Sequence, residues 1–515
     1  MIITGRRNVR NLLEYRNESN PESTFLIWES RHITYGELNE KVNRLANGFL
    51  DLGIAKGTKV LIHLSNCPEF IYSFFALLKI GAIAVLSNIN HLLEEVCYTT
   101  SHSESLFVIT EKEYYDLFKK VQAQVPGLKK MIFANVEDSW PGGIALKSLL
   151  AQCPADLKET LVTSDDDASI IYTSGSSDKP KAVLYVQGNY IFAGEAFSKQ
   201  VSLTPDDRVL CVIPLFHSNG MNHQLFPVVT TGASMALYRK FSSSRFGDQI
   251  RENNITLVTL PGALLRFILN TPEKPGDGKN SLRAIYSGAN ILSKDEFDRI
   301  RRRFNAPLIT SYGLTESSIG PLKSPLYGKK KDGSIGLPAV GYEVRIVDEN
   351  DEELPLGQTG EIVARGMGQY PIMKEYYRDP EATKRTLKNG WLHTGDLGYT
   401  DEEGYFYFVE RKKEMIRVGG ENVAAGEVQT ILNQHPAVAE SAVIGIKDPL
   451  GNEAIKAFLV LKEGTKATEE EMQEYCSSKM AKFKTPRSFE FLKELPRTGP
   501  GKIDKKALRK MEESR

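Results

Sequence analysis

The sequence has no surplus of charge of either sign: 65 lysines and arginines balance 65 aspartates and glutamates across 515 residues. With no net field to gather polyanions, nucleic acid and anionic lipid surfaces are excluded as bulk partners, and small molecules are expected instead. Cysteine is scarce. The five present (Cys67, Cys97, Cys153, Cys211 and Cys476) are scattered, with no close pair to grip zinc or cycle a disulfide, which fits a reducing cytoplasm. Long hydrophobic runs are missing too. The most apolar stretch, Phe70 to Leu86, is broken by Lys79 and Gly81 and falls short of the about 20 residues of a membrane span, so it reads as a buried helix turning into a strand. The opening MIITGRRNVR lacks the apolar core of a signal peptide and the C-terminus shows no lipidation or retention signal, so no export is expected. No G-x-S-x-G elbow, H-E-x-x-H pair, G-x-G-x-x-G fingerprint or Walker A loop occurs, GMGQYP being the nearest miss; hydrolase and dehydrogenase readings fail on that ground.

What is present is a long chain of ordinary globular texture, 41% hydrophobic and 25% charged, too long for one core and expected to form two to four folding units. Between Thr34 and Gly53, apolar residues at Leu38, Val42, Leu45, Phe49 and Leu52 share one helical face, with Thr34 and Glu37 as a capping box. Strand-like KVLIHL (59–64), a helix over 68–80 and strand-like IAVLSN (83–88) follow, and the beat recurs in LFVIT (106–110), MIFANV (131–136), RVLCVIP (208–214) and ITLVTLP (255–261). That alternation predicts parallel sheets with crossover helices. From about Ser334 the texture changes to short strands and acidic or Gly-rich corners, a small barrel-like subdomain over about 334–410. After Arg411 helix and strand patterns mix, with a capping box at Thr468 and Glu471. The expected fold is α/β, a large multi-layer domain over 1–411 and a smaller mobile α+β domain over 412–515. TPEKPGDGKNS (271–281) and YGKKKDGS (327–334) read as surface loops.

Chemistry is written most sharply in IIYTSGSSDKPKAVLY (170–185), where an apolar strand runs into a hydroxyl- and Gly-rich loop. Backbone N–H groups at Gly175 and the hydroxyls of Thr173, Ser174, Ser176 and Ser177 can ring phosphate oxygens while Lys181 neutralises charge. Further along stand PLFHSNG (214–220), YSGAN (286–290), TSYGLTE (310–316), GWLHTGDLGY (390–399), ERKKEMIRVGGENV (410–423) and LPRTGPGKIDKKALR (495–509).

With these motifs in this order over nearly its whole length, the chain resembles the AMP-forming acyl-CoA synthetase, or adenylate-forming, superfamily. Within it, HLSNCPEF (63–70), GIKDPLGNEAIKAFLVLKEG (445–464) and MAKFKTP (480–486) look similar to crotonobetaine/carnitine–CoA ligases. The resemblance implies a ligase using ATP, Mg2+ and CoA: a carboxylate is activated as acyl-AMP with loss of pyrophosphate, then passed to a thiol. Lys502 matches the catalytic lysine that bridges carboxylate and α-phosphate. Glu316 and Thr173 match the groups that hold Mg2+, a hard cation preferring oxygen. Tyr312 would stack on adenine, with Gly288 and Ala289 against the base edge; Ser311, Gly313 and Thr315 complete the ATP set, and Asp396 with Arg411 would take the ribose hydroxyls. His217 matches the residue between the carboxylate pocket and the thiol tunnel. The C-terminal domain would swing about Lys413, withdrawing Lys502 and bringing Gly419 and Gly420 to a pantetheine arm.

Three positions depart from the family pattern. Asp178 stands where the phosphate loop usually has Gly, Ala182 follows Lys181 in place of Gly, and Ala425 replaces a common Pro. For the acid, Ser218, Asn219, Asn222, Asn290, Ser317 and Ser318 make the implied acyl pocket polar, pointing to a short polar acid. Carnitine, crotonobetaine or a related betaine leads, with Tyr190, Phe192 and Phe216 as possible aromatic partners for a quaternary ammonium. The alternatives are a short- or medium-chain fatty or aromatic acid, a stand-alone enzyme charging a carrier protein, and a silent nucleotide-binding relative motivated by Asp178.

Overall fold

A computed structural model describes residues 8–137, 140, 142–157, 159–173, 180–288, 292–418, 421–447, 453–497 and 503–513. The chain divides into two compact units, one of Met1–Val344 with Ala364–Leu392, the other of Arg345–Val363 with His393–Arg515.

The first unit is built on two large sheets. One has eight strands in the order Glu375–Tyr376, Lys181–Val186, Asp167–Thr173, Ile83–Leu86, Lys59–His63, Phe107–Thr110, Lys130–Phe133 and Ile144–Ala145. From Asp167–Thr173 onward its neighbours run parallel, whereas Lys181–Val186 returns antiparallel to Asp167–Thr173, with Thr173 opposite Lys181. The other has nine, ordered Leu337–Pro338, Leu322–Lys323, Leu308–Tyr312, Ala284–Gly288, Leu257–Pro261, Arg208–Cys211, Ser234–Leu237, Thr24–Trp28 and Arg31–Thr34, parallel from Leu308–Tyr312 through Thr24–Trp28. The expected crossover rhythm is therefore realised in both sheets.

Local signals explain the helices. Thr34 and Glu37 form a reciprocal capping box at the start of Tyr35–Asp51, supplying partners for backbone N–H groups that have none inside the helix. Pro68 opens the helix Pro68–Lys79, where its missing N–H is harmless. That helix and the strand Ile83–Leu86 are buried along their length apart from half-buried Glu69, as the apolar stretch predicts. Phe74, Phe75, Tyr190 and Phe226 interlock edge-to-face or stacked, with centroids 4.4–6.1 Å apart, a geometry that adds to area burial.

In the second unit, strands Trp391–Thr400 and Phe406–Arg411 pair antiparallel within a five-stranded sheet, the region read from sequence as barrel-like. Strands Val438–Lys447, Glu453–Leu461 and Ser488–Phe491 form a three-stranded sheet, and Thr468 and Glu471 cap Glu469–Lys479 as expected.

One loop differs from its sequence reading. The segment 271–281 is not simply a surface loop: Asp277 and Arg303 are both buried, and the carboxylate accepts from Arg303 Nε at 2.8 Å and Arg251 Nη1 at 3.4 Å. Arg303 also donates to the carbonyls of Ile268, Thr271 and Pro272, pinning the loop to the helix Lys294–Phe304. Removing one partner strands a buried charge, so Asp277→Ala is expected to destabilise the first unit by about 3–5 kcal/mol, read as a lowered urea midpoint; a midpoint within about 0.5 kcal/mol of wild type, the scale of an ordinary surface change, contradicts the anchor.

Candidate functional site

In the first unit the hairpin of Asp167–Thr173 and Lys181–Val186 brings Thr173 and Lys181 together, the Thr173 hydroxyl donating to the Lys181 carbonyl at 3.5 Å. Strand Glu375–Tyr376 lies on the other side of Lys181–Val186, Tyr376 opposite Val183. Tyr376 then makes two contacts. Lys181 Nζ lies 4.4 Å above its ring centre, and its hydroxyl donates to Glu316 Oε1 at 2.5 Å. Glu316 is held from behind by the Met373 N–H, which donates to its backbone carbonyl at 2.8 Å. Burial, and then the Glu316 charge, push the Tyr376 hydroxyl far above its ordinary range, so it stays a donor. The result is a buried carboxylate and a lysine ammonium on one tyrosine.

The loop carrying Glu316 is fixed by close backbone approach. Gly320 has φ +82, and a Cβ on it would come 2.5 Å from the Tyr312 carbonyl; one on Gly313 would come 2.4 Å from Gly320 Cα. Only glycine fits at both. Tyr185, buried, donates its hydroxyl to the Thr315 carbonyl, and Ser218, the neighbour of His217, contacts the Thr315 hydroxyl at 3.5 Å. His217 itself starts a short helix beside the Phe216 ring, centroids 4.5 Å apart. Gly288 abuts Ser311, whose carbonyl would lie 3.0 Å from an added Cβ, so Gly288, Ser311, Tyr312 and Gly313 meet at the carboxyl ends of adjacent parallel strands, where open α/β sheets bind ligands.

In the second unit Asp396 and Arg411 are register partners, with Arg411 Nε 3.5 Å from Asp396 Oδ1. Asp396 is buried and its N–H donates to Thr394 Oγ1 at 3.1 Å, while Arg411 is exposed. Beside them Glu361 accepts from the Gly395 N–H at 3.0 Å and lies 3.6 Å from His393 and 3.4 Å from Lys412. Lys413 lies in the 3-10 turn Lys412–Glu414, from which Glu414 pairs with Lys505 at 2.6 Å. Ser174, Gly175, Ser176, Ser177, Asp178, Ala289, Asn290, Gly419, Gly420 and Lys502 lie outside the described residues.

Several side chains read as pocket lining turn inward instead. The Ser317 hydroxyl donates to the Leu314 carbonyl at 3.0 Å, Ser318 to that of Tyr370 at 3.3 Å, and Asn222 to that of Ser318 at 2.8 Å. Tyr190 stacks on Phe226 and bonds Ser169, so its ring belongs to the core, while half-buried Phe192 packs on Tyr342. Tyr376 was missed from sequence, because a tyrosine on a two-residue strand has no periodicity to mark it.

The AMP-binding enzyme family matches residues 13–377, and the AMP-binding enzyme C-terminal domain matches 427–502. The crotonobetaine/carnitine–CoA ligase of Salmonella paratyphi A is 39% identical over 518 residues, covering 99% of this chain and 100% of that protein. Among solved structures, ATP-bound MatB from Rhodopseudomonas palustris superposes with a TM-score of 0.89 at 25% identity, covering 98% of both chains. The o-succinylbenzoate CoA synthetase of Bacillus subtilis, in complex with ATP and magnesium, does so at 0.85 and 29%, covering 97% of this chain and 99% of that one. The chain belongs to the AMP-binding enzyme family.

Glu361 supplies a pH test of the second unit. Burial alone would raise its carboxyl, but hydrogen bonds from His393 and the Gly395 N–H, with the charges of His393 and Lys412, hold it below the ordinary carboxylate value. A depressed folded pKa contributes stability that is present above the unfolded value of about 4.3 and lost as pH falls through the folded one. Wild type should therefore exceed Glu361→Gln in urea midpoint at pH 7, with the gap closing on acidification; a gap that widens toward low pH contradicts this.

Proposed function

We propose that the protein is an AMP-forming acid–CoA ligase, for which the full-length likeness to carnitine ligases favours carnitine, crotonobetaine or a related betaine as the acid. The observation that carries the ligase reading is the set Thr173, Lys181, Tyr376 and Glu316, in a chain whose full-length likeness is to CoA ligases. The betaine rests on that likeness alone. A carboxylate carbon is electron-poor too weakly, and its oxide leaving group is too basic, for a thiol to displace. Attack of the carboxylate oxygen on the α-phosphorus of ATP forms a mixed anhydride and releases pyrophosphate; attack of the CoA sulfur on its carbonyl carbon then releases AMP.

In the first step both reactants are anions, so neutralisation dominates. Lys181 and Lys502 carry positive charge to the phosphates and the carboxylate. Thr173 and Glu316 are hard oxygen donors suited to Mg2+, which when bound neutralises phosphate charge. Tyr376 orients Glu316 and supports the Lys181 chain. Tyr312, Gly288, Ala289, Ser311, Gly313 and Thr315 take the adenine side, Ser174, Gly175, Ser176 and Ser177 the phosphates, and Asp396 with Arg411 the ribose. His217 stands toward the carboxylate, and Gly419 and Gly420 toward the thiol arm. The functional small domain begins at Lys412 and turns about Lys413, and the enzyme works in the cytoplasm.

Two measurements test this. Acid-dependent exchange of pyrophosphate into ATP, run over a panel of betaines and other acids, should respond to at least one acid; no response to any betaine rejects the acid that the likeness favours. Lys502→Ala should lower adenylate formation by about 10²–10³-fold or more, the scale of losing one preorganised transition-state donor, while largely sparing transfer from supplied acyl-AMP. Equal loss in both steps rejects the division of roles.

A further inference from the structure

Lys323 is an anomaly beside the predicted site. It stands on the two-residue strand Leu322–Lys323, register partner of Ser311, and is 1% exposed. Its ammonium donates to Ser311 Oγ at 2.7 Å and to the Ile319 carbonyl, and lies 3.4 Å from His223 Nε2. His223 donates from Nε2 to the same carbonyl at 2.8 Å, which leaves Nδ1 a buried acceptor with no partner among the described residues. Phe197 ties the group together: its centroid is 5.6 Å from Lys323 Nζ, 4.7 Å from the His223 ring and 5.7 Å from the Tyr286 ring. The Tyr286 hydroxyl is buried and likewise without a partner among the described residues.

No carboxylate of the described residues lies within ion-pair distance of Lys323, and burial brings its pKa down to about 7. Burying an ammonium against neutral oxygens is costly, and an apolar residue would fill the position between Leu322 and Ser324 without that penalty. The ammonium also touches Ser311, the neighbour of Tyr312, against which the Gly288 backbone packs. It thus sits where the parallel strands end, within a few ångströms of the residues assigned to ATP, with no carboxylate of the described residues beside it.

We infer that Lys323 is the specificity-determining residue for the acid: with the Tyr286 hydroxyl as a second donor, it takes a distal anionic group, so the substrate is a dicarboxylic acid activated at its other carboxylate. The inference rests on the ligase reading and replaces its betaine, because a permanent cation on the acyl chain would face an ammonium in a low-dielectric setting.

The test is pyrophosphate exchange with wild type, Lys323→Met and Lys323→Gln over three acid series: straight-chain dicarboxylates of three to eight carbons, monocarboxylates of matching length, and betaines. Wild type should prefer one dicarboxylate over its monocarboxylate counterpart at least 10²-fold in kcat/KM. Lys323→Met should remove that preference by raising KM for the dicarboxylate at least 10²-fold more than for the monocarboxylate, and Lys323→Gln should fall between. Both variants should fold with urea midpoints at or above wild type, since a buried unpaired charge has been removed. Equal loss on every acid would make Lys323 structural and overturn the inference; so would wild-type preference for a betaine or a monocarboxylate, which leaves the ligase reading intact. Exchange with no acid of any series overturns the ligase reading itself, and this inference with it.

Discussion

One tyrosine links the opposite charges of the first unit. The Tyr376 hydroxyl donates a hydrogen bond to Glu316, and the face of the same ring lies under Lys181. A carboxylate and an ammonium free to approach each other would neutralise one another and leave nothing for a phosphate or a cation to bind. Placed on the edge and the face of one ring, they are held separately by a hydrogen bond and by the ring quadrupole. The two-residue strand that carries Tyr376 is in turn fixed by the ladder to Val183 and Leu184, so the outermost strand of the eight-stranded sheet sets the site's charges.

The second unit handles charge differently. Asp396 and Glu410 are buried carboxylates and Glu361 a half-buried one, met by Arg411, His393, Lys412 and backbone N–H groups. Burial pushes Glu410 up despite the attraction of Lys505. Between these groups and the next strand lies only the turn Lys412–Glu414, tied forward to Lys505 by Glu414.

Much of the architecture was legible because several local signals agreed. The Thr34 and Thr468 capping boxes, Pro68 at the first turn of its helix and the 3.6-residue stripe of 34–53 each named an element that the structure contains. The parallel sheets followed from the order of strands and helices. Buried charge outside the motifs was not legible. Asp277 sits in a run of Pro, Gly and Lys that has every mark of a solvated loop, yet Arg303, 26 residues on, draws it inside. Ser317 and Ser318 read as lining because they follow TSYGLTE, where the resemblance puts the acyl pocket, but backbone carbonyls claim their hydroxyls. Periodicity reports which face is apolar; it is silent on which polar group a distant segment will satisfy.

Lys323 shows the same limit from the other side. In sequence it is one lysine among many, between Leu322 and Ser324, and the prior for such a residue is a solvated surface. Only the pairing of Leu322–Lys323 with Leu308–Tyr312, and the close passage of Gly320 beneath Tyr312, turn it inward. The glycines that shape the nucleotide loop therefore also bury the ammonium: the constraint that brings Tyr312 and Glu316 into position leaves the next strand no route to solvent. A positive charge fixed by the same geometry that forms the site bears on whatever that site accepts. Overall sequence likeness averages over hundreds of positions, most of them packing, whereas selection of an acid by charge turns on the one or two groups its tail meets.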